Sequence, residues 1–145
     1  MGIFSLFGKS KQKASIDNSK TIATNISNIV VDFLNMQLSL HRDDNGNLPS
    51  KAQDNWSLGY VAGAADASLY TRNYEPSSDV ARFTMIMVFV RIYGDSGYFD
   101  KVKDLQSSSD TELYSGMTAG GEIIDYLNAS SFPSIPTKWS SHIQG

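Results

Sequence analysis

The chain contains no cysteine, so it can form no disulfide, no thiolate nucleophile and no cysteine-ligated zinc or iron–sulfur centre. A reducing cytoplasm suits such a chain better than a disulfide-rich secreted setting, and a cytoplasmic location is the expectation. Histidine is almost as scarce, with only His41 and His142 present. Neither belongs to a His-Glu-x-x-His pattern or stands beside other ligands, so no metal and no cofactor is expected. The nucleophile elbow Gly-x-Ser-x-Gly is missing too; Gly94-Asp95-Ser96-Gly97 is close in composition but has the spacing of a turn. No apolar run approaches the ~20 residues of a membrane-spanning helix.

Positive charge is in short supply beyond the N-terminus. Lys9, Lys11, Lys13 and Lys20 stand against Asp17 alone in residues 1–20, a balance of +3, so a chain of net charge −3 carries −6 in the rest. A duplex-DNA binder needs a basic face to displace counterions, and this acidic body argues against a nucleic-acid partner. A protein partner with a basic surface suits it better.

What is present is an ordinary globular composition, 41% hydrophobic and 19% charged over 145 residues, enough for one domain with a substantial core. The opening segment, Met1-Gly2-Ile3-Phe4-Ser5-Leu6-Phe7-Gly8-Lys9, puts its lysines after the apolar stretch, the reverse of a signal peptide, and has Leu6 where myristoylation wants Ser or Thr. It supports at most a weak membrane contact through residues 3–13. The expected layout is a flexible basic segment over 1–19, a helical domain over 20–128, and an extended tail over 129–145 packed on the domain.

Apolar periodicity predicts a first helix near Lys20–Leu40, with Ile22, Ile26, Ile29, Phe33, Met36 and Leu40 in one stripe widened by Val30, Leu34 and Leu38. The polar line Asn25, Asn28, Asp32, Asn35 and Ser39 runs along its flank, either a solvated face or a surface for a polar ligand. The following Asp43-Asp44-Asn45-Gly46 turn imitates a calcium loop, but His41 and Ala52 occupy the first and twelfth positions, where carboxylates are needed. A second helix, started by Ser50 or Asp54 and ending at Tyr70, contains Gly59, Gly63 and Ala67 four apart. Glycine in a helix costs about 1 kcal/mol relative to alanine, and close approach of another helix is the natural compensation. Gly116 and Gly120 repeat the spacing in a helix expected over Asp110–Asn128, begun by a Ser109/Glu112 capping box, so the two strips are expected to face each other.

Val80–Tyr93 is apolar nearly all round and reads either as the central helix of the domain or as a buried strand, with its length, Ser/Asp start and Gly94 stop favouring helix. A short helix is expected over Asp95–Gln106. The fold class implied is all-α, a single-domain bundle of about five helices with 80–93 at its centre. Asp66, set among alanines, is expected to be partly buried and to need Arg82 or Arg91 as its cation. Pro133-Ser134-Ile135-Pro136-Thr137-Lys138 has the Pro-x-x-Pro-x-Lys spacing read by aromatic-lined grooves, while Phe132, Ile135 and Trp139 could equally pin the tail to the helices. Tyr70, Tyr74, Tyr93, Tyr98 and Tyr114, near helix ends, suit either interface or core.

Leu58-Gly59-Tyr60-Val61-Ala62-Gly63 resembles a segment of small helical immunity proteins that neutralise secreted bacterial cell-wall amidases. Those proteins carry a signal peptide and cysteines, which this chain lacks, and the likeness covers under a tenth of the sequence. The functional expectation is therefore a non-catalytic helical protein that binds a macromolecular partner, as an inhibitor or immunity-type protein would. The alternative is a small-molecule-binding or enzymatic domain with a pocket around Asp66, Arg82 and Arg91. The candidate contact residues are Asn25, Asn28, Asp32, Asn35, Asp66, Arg82 and Arg91.

Overall fold

No proline interrupts the chain before Pro49, and α1 (Gly2–Leu38) is accordingly its longest helix, 37 residues. The computed structural model describes residues 2–128 and 136–145, with side chains from residue 15 onward. The helix thus reaches back past the start expected at Lys20, because nothing in residues 9–19 stops it: that stretch is rich in Lys, Gln, Ala and Ser, with neither glycine nor proline.

A 3-10 turn (Ser50–Gln53) leads into α2 (Asn55–Thr71), where Asp54 is the cap: its Oδ1 accepts the Ser57 N–H at 2.8 Å. Next comes α3 (Asp79–Tyr93), capped by Ser78, whose hydroxyl accepts from Ala81 N at 3.1 Å, and stopped by Gly94 at φ 91°. The backbone there is left-handed, which glycine adopts freely, and the expected stop is seen. The Asp95–Gln106 expectation becomes α4 (Gly97–Ser107).

The helix expected over Asp110–Asn128 is broken at Gly120–Gly121 into α5 (Thr111–Gly120) and α6 (Ile123–Asn128). Asp110 and not Ser109 caps α5, accepting from Leu113 N at 2.9 Å, while Ser109 lies outside the helix at φ 56°. The tail expected to be extended instead forms α7 over Lys138–Gln144. Residues 129–135, including Pro133 and Ile135 of the proline motif, lie outside the described residues. The described part of the chain is all helix and turn, so the fold is all-α.

Two parallel helix pairs organise the molecule. In the first, α2 and α5 run in the same direction at backbone contact, as the glycine spacing led us to expect. A Cβ on Gly63 would lie 2.7 Å from Met117 Cα, one on Gly116 2.9 Å from Tyr60 N, and one on Gly120 2.8 Å from Ala64 N. These separations are too short for a real Cβ, so only glycine fits. In the second pair, α1 and α3 are also parallel: Lys20 lies over the Phe83 ring, Thr24 meets Met87, and Asn28 meets Arg91.

The centre of the domain is α2 and not the 80–93 helix. Every residue from Ser57 to Ala65 is buried, whereas α3 buries one face, with Val80, Ala81, Thr84, Val88, Phe89 and Ile92, and exposes Val90. The reason is girth. A helix surrounded on all sides must be slim, and α2 offers Gly59, Ala62, Gly63, Ala64 and Ala65, while α3 carries Phe83, Met85, Ile86 and Met87. The α1 stripe is also displaced. Ala23, Ile26, Ser27, Val30, Val31, Phe33, Leu34, Gln37 and Leu38 are its buried residues, while Met36 and Leu40 of the expected stripe are 44% and 85% exposed. The Leu58–Gly63 hexapeptide is the α2 half of the glycine contact, so its likeness to immunity proteins falls on core packing.

Candidate functional site

The predicted polar residues fall into two separate places. Asn25, Asn28, Asp32 and Asn35 all lie exposed on α1, one or two turns apart, and so form the line expected of them. At Asn28 that line meets a groove of about 380 Å³ between α1 and α3, lined by Thr24, Ser27, Asn28, Ile86, Met87, Val90 and Arg91. The groove exists because Met87 stands where the other pair has glycine. Its Sδ is 3.7 Å from Thr24 Oγ1 and 3.8 Å from Ser27 Oγ, and the thioether holds the two backbones apart. Arg91 closes one end by donating from Nη1 to Asn28 Oδ1 across the helix pair. Val90, 40% exposed, and the half-buried Ile86 and Met87 leave the groove with an apolar floor, lined on the α1 side by the uncharged Thr24, Ser27 and Asn28.

Asp66 and Arg82 lie elsewhere, together with Leu69, Pro76, Met85, Phe99 and Lys103, around a cleft of about 260 Å³. Asp66 is exposed, so it carries no burial cost and needs no dedicated cation. Its position on α2 turns it out of the alanine-rich face that packs. Arg82 forms its ion pair with Asp79, 2.9 Å away on the same helix, and lies over the Phe83 ring at 5.7 Å. The expected Asp66–Arg82 or Asp66–Arg91 pair is therefore absent among the described residues, and Arg91 lines the α1–α3 groove and not this cleft.

Sequence reading missed a polar network that binds α7 to the core. Gln37, inside the buried face of α1, donates from Nε2 to the Tyr60 hydroxyl at 2.7 Å. Its Oε1 accepts from Trp139 N at 2.9 Å and from Ser140 N at 3.2 Å. The fully buried Trp139 indole donates to Ser57 Oγ at 3.0 Å. Glu122 Oε1 accepts from Thr137 N and Lys138 N at 3.0 and 3.4 Å, while Oε2 is buried with no partner among the described residues. Burial drives the Tyr60 phenol far above its ordinary range; the Gln37 hydrogen bond opposes this, and the negative charge of Glu122 adds to it. Tyr93 is raised as well, by burial first and then by the charge of Asp54. An amide at position 37 between Met36 and Leu38 was the available signal, since a polar side chain on a buried face must find partners.

Both histidines belong to this network. His142 Nε2 is 2.8 Å from Asp54 Oδ2, and its ring stacks on Trp56 at 4.2 Å between centroids. His41 Nε2 is 2.7 Å from Ser140 Oγ. Each imidazole thus has its own partner, and the serine and the aspartate do not share one. The Asp43 carboxylate, which resembled a calcium ligand, accepts from the N–H groups of Asn47 and Asn45 at 2.8 and 2.9 Å. Those backbone bonds, Asn47's first, hold its pKa below the usual carboxylate value. Among the described residues no helix is long and apolar enough to cross a membrane.

No protein-family model, no curated protein and no solved structure matches the chain.

Proposed function

We propose that the chain is a non-catalytic protein that acts by binding a protein partner, as an inhibitor or immunity-type protein does, and that the α1–α3 groove with the amide line that meets it at Asn28 is the contact face. The observation that carries this reading is the groove itself: an open apolar floor of Ile86, Met87 and Val90 beside Asn28, with Asn25 and Asn35 exposed on the same helix. Apolar surface in an open groove is gained by a partner that covers it, at about 25 cal/mol per Å² removed from water. Met87 suits such a floor because its unbranched thioether adapts to the shape laid on it. The amides and the Asn28–Arg91 bridge supply directional hydrogen bonds around the rim, the arrangement of an apolar centre with a polar border. The matching partner presents one or two apolar side chains flanked by hydrogen-bonding groups. Its surroundings are basic enough to meet a body of charge −6, and nucleic acid does not fit that description.

Site-specific photocross-linking in native cells tests the reading. A photoreactive residue placed at Val90 is expected to capture one discrete protein, and the same residue at exposed Thr118 on α5 is expected to capture none. Equal capture from both positions, or none from Val90, defeats the assignment.

A further inference from the structure

A second surface feature lies beyond the groove, around the end of α3. Arg42, Gly46, Asn47, Leu48 and Gln53 from the α1–α2 connection face Arg91, Tyr93, Gly94 and Tyr98 across a cleft of about 520 Å³. That volume is within the ~300–1,000 Å³ of small-molecule sites. Its charge is out of keeping with the body around it: the lining holds two guanidinium groups and no carboxylate. Three neighbouring carboxylates are engaged elsewhere: Asp54, next to Gln53, accepts from Ser57 N and meets His142 Nε2. Asp43 Oδ1 accepts from Asn45 N and Asn47 N, and Asp95 Oδ1 accepts from Gly97 N at 2.7 Å.

The two arginines are held in place without being neutralised. Arg42 donates from Nη1 to Gly46 O at 2.9 Å, and Arg91 donates from Nη1 to Asn28 Oδ1. Both acceptors are uncharged oxygens, so each guanidinium is oriented while its charge and its other N–H donors stay available. Arg82 and Lys103 differ, since each meets a carboxylate, of Asp79 and Asp100 respectively. The wall that carries Arg91 is also aromatic: the Tyr93 and Tyr98 rings stack at 4.6 Å with 25° between their planes. Their hydroxyls are already committed, Tyr93 to Ala52 O at 2.7 Å and Tyr98 to Gln53 Oε1 at 2.8 Å. The rings therefore contribute a surface, and the arginines contribute the donors.

We infer that this cleft binds a small organic anion, with its carboxylate or phosphate held by Arg42 and Arg91 and its flat body laid along the Tyr93–Tyr98 wall. Planar guanidinium forks match both head groups in two-point geometry, and charge-assisted bonds of this kind are the strong ones. The wall and the cleft volume exceed what a bare inorganic ion would fill. The inference does not rest on the groove being a protein-binding face, and its test reads the cleft alone.

Titration of the full-length chain, followed by amide NMR, uses phenyl phosphate, benzoate and inorganic phosphate as probes. Saturable binding of phenyl phosphate or benzoate is expected, with shifts centred on Arg42, Asn47, Gly94 and Tyr98, and the tighter of the two names the head group. Inorganic phosphate should bind at least about tenfold more weakly, for want of the ring contact. Arg42→Gln and Arg91→Gln should each weaken the preferred probe about tenfold or more. Arg91→Lys should fall between wild type and Arg91→Gln, while Arg82→Gln leaves affinity unchanged. Failure of all three probes to saturate by roughly 10 mM, where binding is too weak to mark a site, overturns the inference. So does equal weakening by Arg82→Gln.

Discussion

Replacing Gly63 with alanine adds one methyl group, and its surroundings are all backbone. The new carbon would stand 2.7 Å from Met117 Cα and 2.8 Å from Met117 C, with no flexible side-chain end among its nearest neighbours to swing aside. The helices α2 and α5 must then separate along their length, loosening the contacts of Gly59, Gly116 and Gly120 as well. Overpacking of this kind costs up to ~3 kcal/mol. Alanine returns about 1 kcal/mol through its better helix propensity, leaving a net loss of ~2 kcal/mol. At this chain length, roughly 3–5 °C in Tm corresponds to 1 kcal/mol, so the transition should fall by about 6–10 °C. Gly116→Ala, whose methyl would meet Trp56 C at 2.8 Å, should behave alike. The double variant should be less damaging than the sum by ~1 kcal/mol, because the first methyl has already opened the gap the second needs. Urea denaturation followed by circular dichroism measures all three, with Ser115→Ala on the exposed side of α5 as the control for propensity. Glycine variants as stable as wild type, or more stable, would refute the argument, since propensity alone predicts a gain.

Three further outcomes follow from the network around α7. Both raised phenols, Tyr60 and Tyr93, keep in the folded chain a proton that the unfolded chain releases above about pH 10. Their contribution is therefore complete below that pH and is lost as pH rises, at ~1.4 kcal/mol per pH unit for each tyrosine. Urea midpoints between about pH 9 and 11.5 should show the decline, and an unchanged slope in Tyr60→Phe would contradict it. Trp139→Ala removes a fully buried indole and its bond to Ser57, and should cost about 4 kcal/mol; a loss below ~1 kcal/mol by denaturation would mean that α7 does not seal the core. Glu122→Gln keeps an oxygen for Thr137 N and Lys138 N and should change stability by less than ~0.5 kcal/mol. Glu122→Ala leaves both donors without it and should cost ~1–3 kcal/mol, so equal midpoints for the two variants would argue against the clamp.

Local signals carried the parts of this fold that depend on local physics. Gly94 stops α3 because a left-handed position favours glycine wherever it occurs, and Asp54 caps α2 because its carboxylate reaches its own backbone. The glycine strips were legible for a related reason: two costly spacings in one chain each need a partner and offer each other one. The orientation of α1 was not legible. Met36 and Leu40 are as apolar as Val30, Leu34 and Leu38, and only the positions of α2 and α3 decide which stripe is covered. Asp66 was misplaced because a run of alanines describes a helix's girth and not the direction each residue faces. Gln37, Ser57, Glu122 and Trp139 come together from four distant segments, and a separation of 102 positions between Gln37 and Trp139 leaves no spacing to read. The amide line on α1 was readable as a line, but the groove beside it depends on α3 docking in parallel.

The two helix pairs also separate stability from binding in a way that one substitution can probe. Where α2 meets α5, glycine brings the backbones together and no room remains; where α1 meets α3, Met87 holds them apart and an apolar strip stays open to solvent. Val90 lies on that strip at 40% exposure, so the folded chain already leaves much of its side chain in water. Val90→Asp should therefore cost the fold no more than ~1 kcal/mol, with the aspartate directed into solvent and Arg91 next to it in sequence. A bound partner would have to bury that charge without a cation of its own placed to meet it, a penalty of several kcal/mol. Capture by a photoreactive group at Thr24, on the groove's α1 side, should accordingly disappear in Val90→Asp while the urea midpoint stays near wild type. If Val90→Asp instead destabilises the chain as much as Gly63→Ala, the strip is core and the contact face must be sought elsewhere. If it folds normally and capture persists, the partner does not touch the groove.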